Sequence, residues 1–253
     1  MAVAAAAGRT AMPNRAPRFA PARAASHPLA KPACRLGATP SQGDQHRRGG
    51  AHQGERADPP SLLLPVHEIA PLTLRLVATA PVSRLWNEYI QRYHYLGYSA
   101  MSGSQLRYNV YAGDQLVALL SFGASAWKLA ARDSFIGWQS AQRLKNLHLV
   151  VNNARFLILP WIQCKGLASK ILSIVNRQLP HHWQQRYGFK PVLLETFVEC
   201  ERHRGTSYKA ANWVHVGKTV GRGKKSRVHA QIIPIKDIWL YPLRQNFRAA
   251  LCA

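Results

Sequence analysis

Residues Arg155 to Leu172 read RFLILPWIQCKGLASKIL. A strand-like apolar run stops at Pro160, a short polar turn carries Gly166, and a stretch of helical type follows. Such a handover from strand to helix has two readings. The first N–H groups of a helix lack intrahelical partners and point outward, which makes them an anion site. Alternatively, the glycine merely relieves backbone strain in an ordinary turn. Lys165 and Lys170 divide in the same way, as phosphate ligands or as solvated helix charges.

Working outward, LTLRLVAT (Leu72 to Thr79) alternates as a strand does. PVSRLWNEYIQRYHYL opens on Pro81 and Ser83 and places Leu85, Tyr89, Arg92 and Tyr93 at helical spacing. RYNVYAGDQLVALLSFG reads as a hairpin whose two apolar runs join at Gly113-Asp114, a dipeptide suited to a tight turn. AWKLAARDSFIGWQSAQRLKNL reads as short helices interrupted at Ile136-Gly137. Beyond the quoted stretch, PHHWQQRYGFKP ends a helix, PVLLETFVE is a second apolar strand, and KDIWLYPL is a last strand. Helices and strands therefore mix along one chain, the pattern of an α+β or α/β domain.

The 253 residues carry 34 Lys plus Arg against 11 Asp plus Glu, a formal charge of +23. A field of that size attracts polyanions, chiefly nucleic acid. A membrane partner is not expected, since no stretch approaches the roughly 18 uninterrupted apolar residues of a spanning helix. The four cysteines, Cys34, Cys164, Cys200 and Cys252, are scattered and form no CxxC pair, so no metal site is expected and a reducing, cytoplasmic compartment fits. Composition shifts near residue 61. Residues 1–60 are rich in Ala, Arg and Pro and poor in large aliphatic side chains, and such a segment cannot offset its ordering entropy. It is expected to be a disordered basic tail; an organellar transit peptide is the other reading, weakened by sparse serine and helix-breaking proline. Nine of the basic and three of the acidic residues lie in the tail, which leaves +17 on residues 61–253, read as a single domain.

Gln163, Gly166 and Ala168 form the pattern Q-x-x-G-x-A, which resembles the acetyl-CoA loop of GNAT-type N-acetyltransferases. The resemblance implies a GNAT-like central mixed sheet flanked by helices. It implies acetyl-CoA as cofactor, with Gln163, Lys165, Gly166, Leu167, Ala168 and Ser169 at its pyrophosphate and its pantetheine between strands that splay apart near Pro160 and Val198. Tyr208-Lys209-Ala210-Ala211-Asn212-Trp213 resembles the later short helix of that family, whose tyrosine protonates the leaving thiolate. Asn212 stands where the family has glycine, and Asn tolerates the left-handed conformation that ends a helix.

A wider set of motifs covers residues 72–252: YHYLGY from Tyr93, Arg132-Asp133 with Ile136-Gly137-Trp138, NNARFLILP from Asn152, LETFV from Leu194, GTSYKAANW from Gly205 and GRGK from Gly221. Together they resemble the family of the Druantia anti-phage system protein DruA, relatives of which occur among proteins labelled transposases. The resemblance implies a bacterial protein of anti-phage defence or mobile-element biology, with other defence-system or transposition proteins as partners.

Three constellations have competing readings. His94, between two tyrosines, is a general base, a base-stacking platform or part of a packed aromatic helix end. Glu195 sits inside an apolar strand, where a carboxylate must be paired or functional; it is a general base, or Arg155, Arg132 or Lys209 satisfies it. Arg202, Arg204, Lys209, Lys218, Arg222, Lys224, Lys225 and Arg227 form a cationic run without an acid, suited to a phosphate backbone or else simply solvated. Three functions follow: a nucleic-acid-associated protein on a GNAT-like scaffold, an acyltransferase, or a nuclease using Asp133, Glu195, Glu199 and Glu201, whose spacing matches no metal motif. A chain starting at Ser61 is expected to unfold at the same temperature as the full chain, and a loss of several degrees would show that the tail packs on the domain.

Overall fold

The computed structural model describes residues 62–221 and 233–253. The tail assignment for residues 1–60, and Arg222, Lys224, Lys225 and Arg227 of the cationic run, lie outside the described residues. In chain order the elements are β1 (Leu62–Leu63), β2 (Leu72–Leu76), α1 (Ala80–Tyr93), β3 (Gln105–Ala112), β4 (Gln115–Ala124), α2 (Ala130–Ile136) and α3 (Ser140–Asn146). A 3-10 turn at Leu147–Leu149 leads to β5 (Val150–Ile158), β6 (Ile162–Gln163), α4 (Leu167–Tyr187), β7 (Leu193–Glu199), α5 (Thr206–Ala210), β8 (Val214–Lys218), β9 (Lys236–Pro242) and α6 (Phe247–Leu251).

Seven strands form one mixed sheet in the order β2-β3-β4-β5-β7-β9-β8. The hairpin at Gly113-Asp114 joins β3 to β4 as expected. Every neighbouring pair is antiparallel except β5 and β7. A parallel pair needs a long crossover, and α4 supplies it. Its buried residues Leu167, Ile171, Leu172, Val175, Leu179 and Trp183 recur at helical spacing, so one stripe of this 21-residue helix lies on the sheet. The helix runs through Pro180 and stops at Gly188, whose φ of +81° closes the turn.

Strand alternation divides β7 between two faces. Leu194 and Val198 join the core under α4, whereas Leu193 joins a second cluster with Ile136 of α2 and Phe247 and Leu251 of α6. Helix α1 lies on the face opposite α4: Arg107 of β3 reaches Asn87 and Ser83 of α1, while the next residue, Tyr108, meets His182 of α4. Helices thus cover both faces of a mixed sheet, which is the expected fold class.

Glu195 points into the second cluster and is fully buried. Arg132, also fully buried, donates to its Oε2 at 2.9 Å, and the Ala126 N–H donates to Oε1 at 2.7 Å. The same guanidinium bonds Asp133 Oδ1 at 2.8 Å and the Ala126 carbonyl at 2.7 Å. Of the three cations considered for Glu195, Arg132 is therefore its partner. Removing one member of a buried ion pair strands the other, at a cost of about 3–5 kcal/mol. Arg132→Met should show a loss of that order in urea unfolding, and adding Glu195→Leu should recover part of it.

Candidate functional site

The site begins with an irregularity in β5. On the β4 side Ser121 pairs with Arg155 and Phe122 with Asn153, so Ala154 has no partner and the strand bulges. On the β7 side pairing runs from Val150 with Leu193 to Asn153 with Thr196 and ends there. Asn153 latches the bulge: its Nδ2 donates to the Ser121 carbonyl at 3.0 Å and to the Arg155 carbonyl at 3.1 Å. Thr196 Oγ1 donates to the Asn153 carbonyl at 3.0 Å. Beyond this point β5 and β7 part, and a cleft of about 430 Å³ opens between them, with Phe156, Ile158 and Val198 on its walls and Ala168 of α4 at its edge. The expected parting of these two strands is present, and it begins at the bulge.

Tyr208 occupies the vertex. Its hydroxyl donates to Asn153 Oδ1 at 2.8 Å and lies 3.5 Å from Thr196 Oγ1. Burial pushes the phenol up to about 12, so it holds its proton at neutral pH. Helix α5 reaches this place because Gly205 precedes it: with φ at +66°, a Cβ there would stand 2.6 Å from the Trp239 ring. The helix ends as expected at Asn212, with φ of +63°.

The turn after Pro160 is assembled in part from the chain's own earlier segment. Strand β1 pairs in parallel with β6, Leu62 with Ile162 and Leu63 with Gln163. Lys170 Nζ donates to the Val66 carbonyl at 3.2 Å, so this lysine already has a partner. Gly166 takes φ of +84° and caps α4. Leu167 departs from the expectation of a ligand-facing residue: its side chain is in the core and its N–H donates to the Cys164 carbonyl at 3.2 Å. The backbone N–H groups of Ala168 and Ser169 have no partner among the described residues. Ser169 Oγ donates to the Gly166 carbonyl at 2.9 Å, and Gln163 and Lys165 are exposed.

The catalytic candidates separate. Tyr208 and His94 line the cleft, while Glu195 lies on the other face of β7 with both oxygens engaged. His94 Nδ1 accepts the Leu96 N–H at 3.2 Å, which leaves the ring proton of the neutral form on Nε2. Burial, with Arg155, His203 and Lys236 nearby, lowers its pKa to about 4. From the cationic run, Arg202 and Arg204 line the cleft, whereas Lys209 and Lys218 are exposed outside it. Sequence reasoning did not single out Asn153, Thr196 or Arg155 as cleft residues. Asn153 had a signal of the same kind as Glu195, a polar side chain in an apolar strand. Arg155 donates to the Gly97 carbonyl at 3.2 Å and to Ser99 Oγ at 3.1 Å, tying the bulge to the loop after α1.

The lowered pKa of His94 has a defined sign. Between its ordinary value of 6.5 and about 4 the unfolded chain binds a proton that the folded chain refuses. The His94 contribution to stability is therefore complete above pH 6.5 and is lost as the pH falls toward 4. Melting temperatures across that window should fall more steeply for the wild type than for His94→Gln.

No curated protein sequence matches the chain. The ribosomal-protein-S18-alanine N-acetyltransferase from Escherichia coli is similar in structure, with a TM-score of 0.44 at 10% identity over 69% of this chain and 96% of that one. Aminoglycoside acetyltransferase AAC(6')-Ib, solved with coenzyme A, gives 0.45 at 14% identity over 71% and 98%. An N-acetyltransferase from Staphylococcus aureus Mu50 gives 0.42 at 11% identity over 69% and 100%. Residues 40–232 match the family model of Druantia protein DruA, and this chain, matched over well more than half its length, belongs to that family.

Proposed function

We propose that this DruA-family chain serves anti-phage defence through the cleft between β5 and β7, and that the cleft takes an acyl-coenzyme A thioester. The observation that carries this reading is Tyr208, a phenol kept protonated at the vertex of the splay, in the same cleft that Ala168 borders at the start of α4. The residues suit such a cofactor. The unpartnered N–H groups of Ala168 and Ser169 would hold its pyrophosphate, and the small Ala168 side chain leaves the helix mouth open. Phe156, Ile158 and Val198 supply an apolar wall for its arm. When bound, an acyl-coenzyme A supplies an activated acyl group and a thiolate leaving group.

Tyr208 supplies the proton. The phenol still carries its proton at neutral pH, where a carboxyl group is already ionised, so Tyr208 can give that proton to a departing thiolate. Asn153 Oδ1 positions the phenol by accepting its O–H, which must turn to the departing thiolate to give up the proton, and Asn153 itself donates to two backbone carbonyls. Glu195 has no part in this chemistry; its carboxylate orders the opposite face.

Acetyl-CoA at a hundredfold excess over its Kd should raise the melting temperature by about 5–10 °C through binding linkage. Gly166→Arg should abolish that rise by filling the turn. Tyr208→Phe should keep the rise and remove turnover. No shift of the wild type at millimolar acetyl-CoA would overturn the reading.

A further inference from the structure

We propose that the mouth of this cleft is a subsite for a nucleotide unit, a base beside a phosphate, and that it disfavours an aliphatic amine. The proposal rests on the same cleft being the working site and names what enters it from the other side. No carboxylate is found among the described residues that line the cleft, whereas Arg155, Arg202 and Arg204 all do. Arg202 is held by Glu199 at 2.9 Å. Arg155 and Arg204 have no carboxylate partner among the described residues. Arg155 spends three of its five N–H groups on Gly97, Ala154 and Ser99, so two remain for an incoming oxygen anion. An ammonium substrate meets like charge here, and a phosphate meets the opposite sign.

The second observation is an aromatic and guanidinium stack at the rim. The rings of His94 and Tyr95 lie 4.9 Å apart and 22° from parallel. Arg202 Cζ stands 5.3 Å from the Tyr95 centroid, and His203 meets Tyr95 edge-on at 5.5 Å. Tyr95 is 38% exposed and the Arg202 side chain 58% exposed, so the stack opens to solvent at its guanidinium end. Bases stack on aromatic faces and on guanidinium planes, and each such contact is largely indifferent to which base it is. Charge alone would accept any phosphate; charge next to an open stack selects one that carries a base. His94 Nε2–H adds a donor on the same rim.

The test is anisotropy of a labelled single-stranded eight-nucleotide DNA bound to the full chain, set against an abasic strand of equal length and charge. The base-bearing strand is expected to bind about tenfold more tightly, in line with the cost of losing one base–aromatic stack. Tyr95→Ala should erase that preference, while Arg204→Ala should weaken both strands together and leave the preference standing. Spermidine is not expected to compete for the protein at the concentration at which AMP does. AMP displacing the strand assigns the subsite to a single nucleotide, and displacement only by a longer strand assigns it to a chain; both uphold the proposal. Equal affinity for the two strands, or a preference that survives Tyr95→Ala, overturns it. Tyr95→Ala should keep the acetyl-CoA melting rise. A chain that shows the base preference without that rise would sink the thioester reading and leave this one standing.

Discussion

The Ala154 bulge, locked by the Asn153 side chain, is the constraint on which the cleft depends. A regular β5 would continue to pair with β7 past Thr196 and close the sheet. One extra residue turns the strand away beside the backbone carbonyls of Ser121 and Arg155. Each net hydrogen bond in a protein is worth only about 1 kcal/mol, but leaving a buried acceptor unmade costs about 1–3 kcal/mol. The Asn153 amide answers both carbonyls at once and spends its remaining oxygen on Tyr208. A side chain that holds the backbone open thus also aims the Tyr208 phenol.

The opposite face of the sheet is organised by charge. Arg132 and Glu195 are both fully buried, and their mutual attraction has to offset the removal of two ions from water. The geometry meets that demand with hydrogen bonds to both ions: both Glu195 oxygens are engaged, and the guanidinium also serves Asp133 and the Ala126 carbonyl. Arg132 lies 5.5 Å over the Trp138 ring as well. This cluster fixes α2 against β7, so the strand that forms one wall of the cleft is held from behind. Glu195 and Thr196 are neighbours in sequence with opposite duties, because a strand sends successive side chains to opposite faces.

The turn that opens α4 shows how one short segment accommodates two demands. Its outer side is covered by the chain's own β1 and by Val66, which takes up Lys170. Its inner side leaves the backbone N–H groups of Ala168 and Ser169 without a partner among the described residues, and Ala168 lines the cleft. The turn therefore packs against the body and still presents donors. The packing reading of Arg155 to Leu172 holds for the outer face of this loop, and the inner face keeps the donors on which the proposed anion site depends.

What the sequence determined by itself is local. The hairpin at Gly113-Asp114, the break at Gly137, the left-handed Asn212 and the order of strands and helices all follow from backbone preferences within a few residues, and those preferences act before any long-range contact forms. The candidate loop and Tyr208 were legible for the same reason, as short patterns of residue type. Tertiary structure decided the rest. Tyr208 meets Asn153 across 55 residues, Arg132 meets Glu195 across 63, and Lys170 meets Val66 across 104. Strand β9 enters the sheet between β7 and β8, an order no local pattern encodes. A polar residue in an apolar strand announces that it needs a partner; sheet register and strand face decide which partner it finds, and only the folded chain sets those.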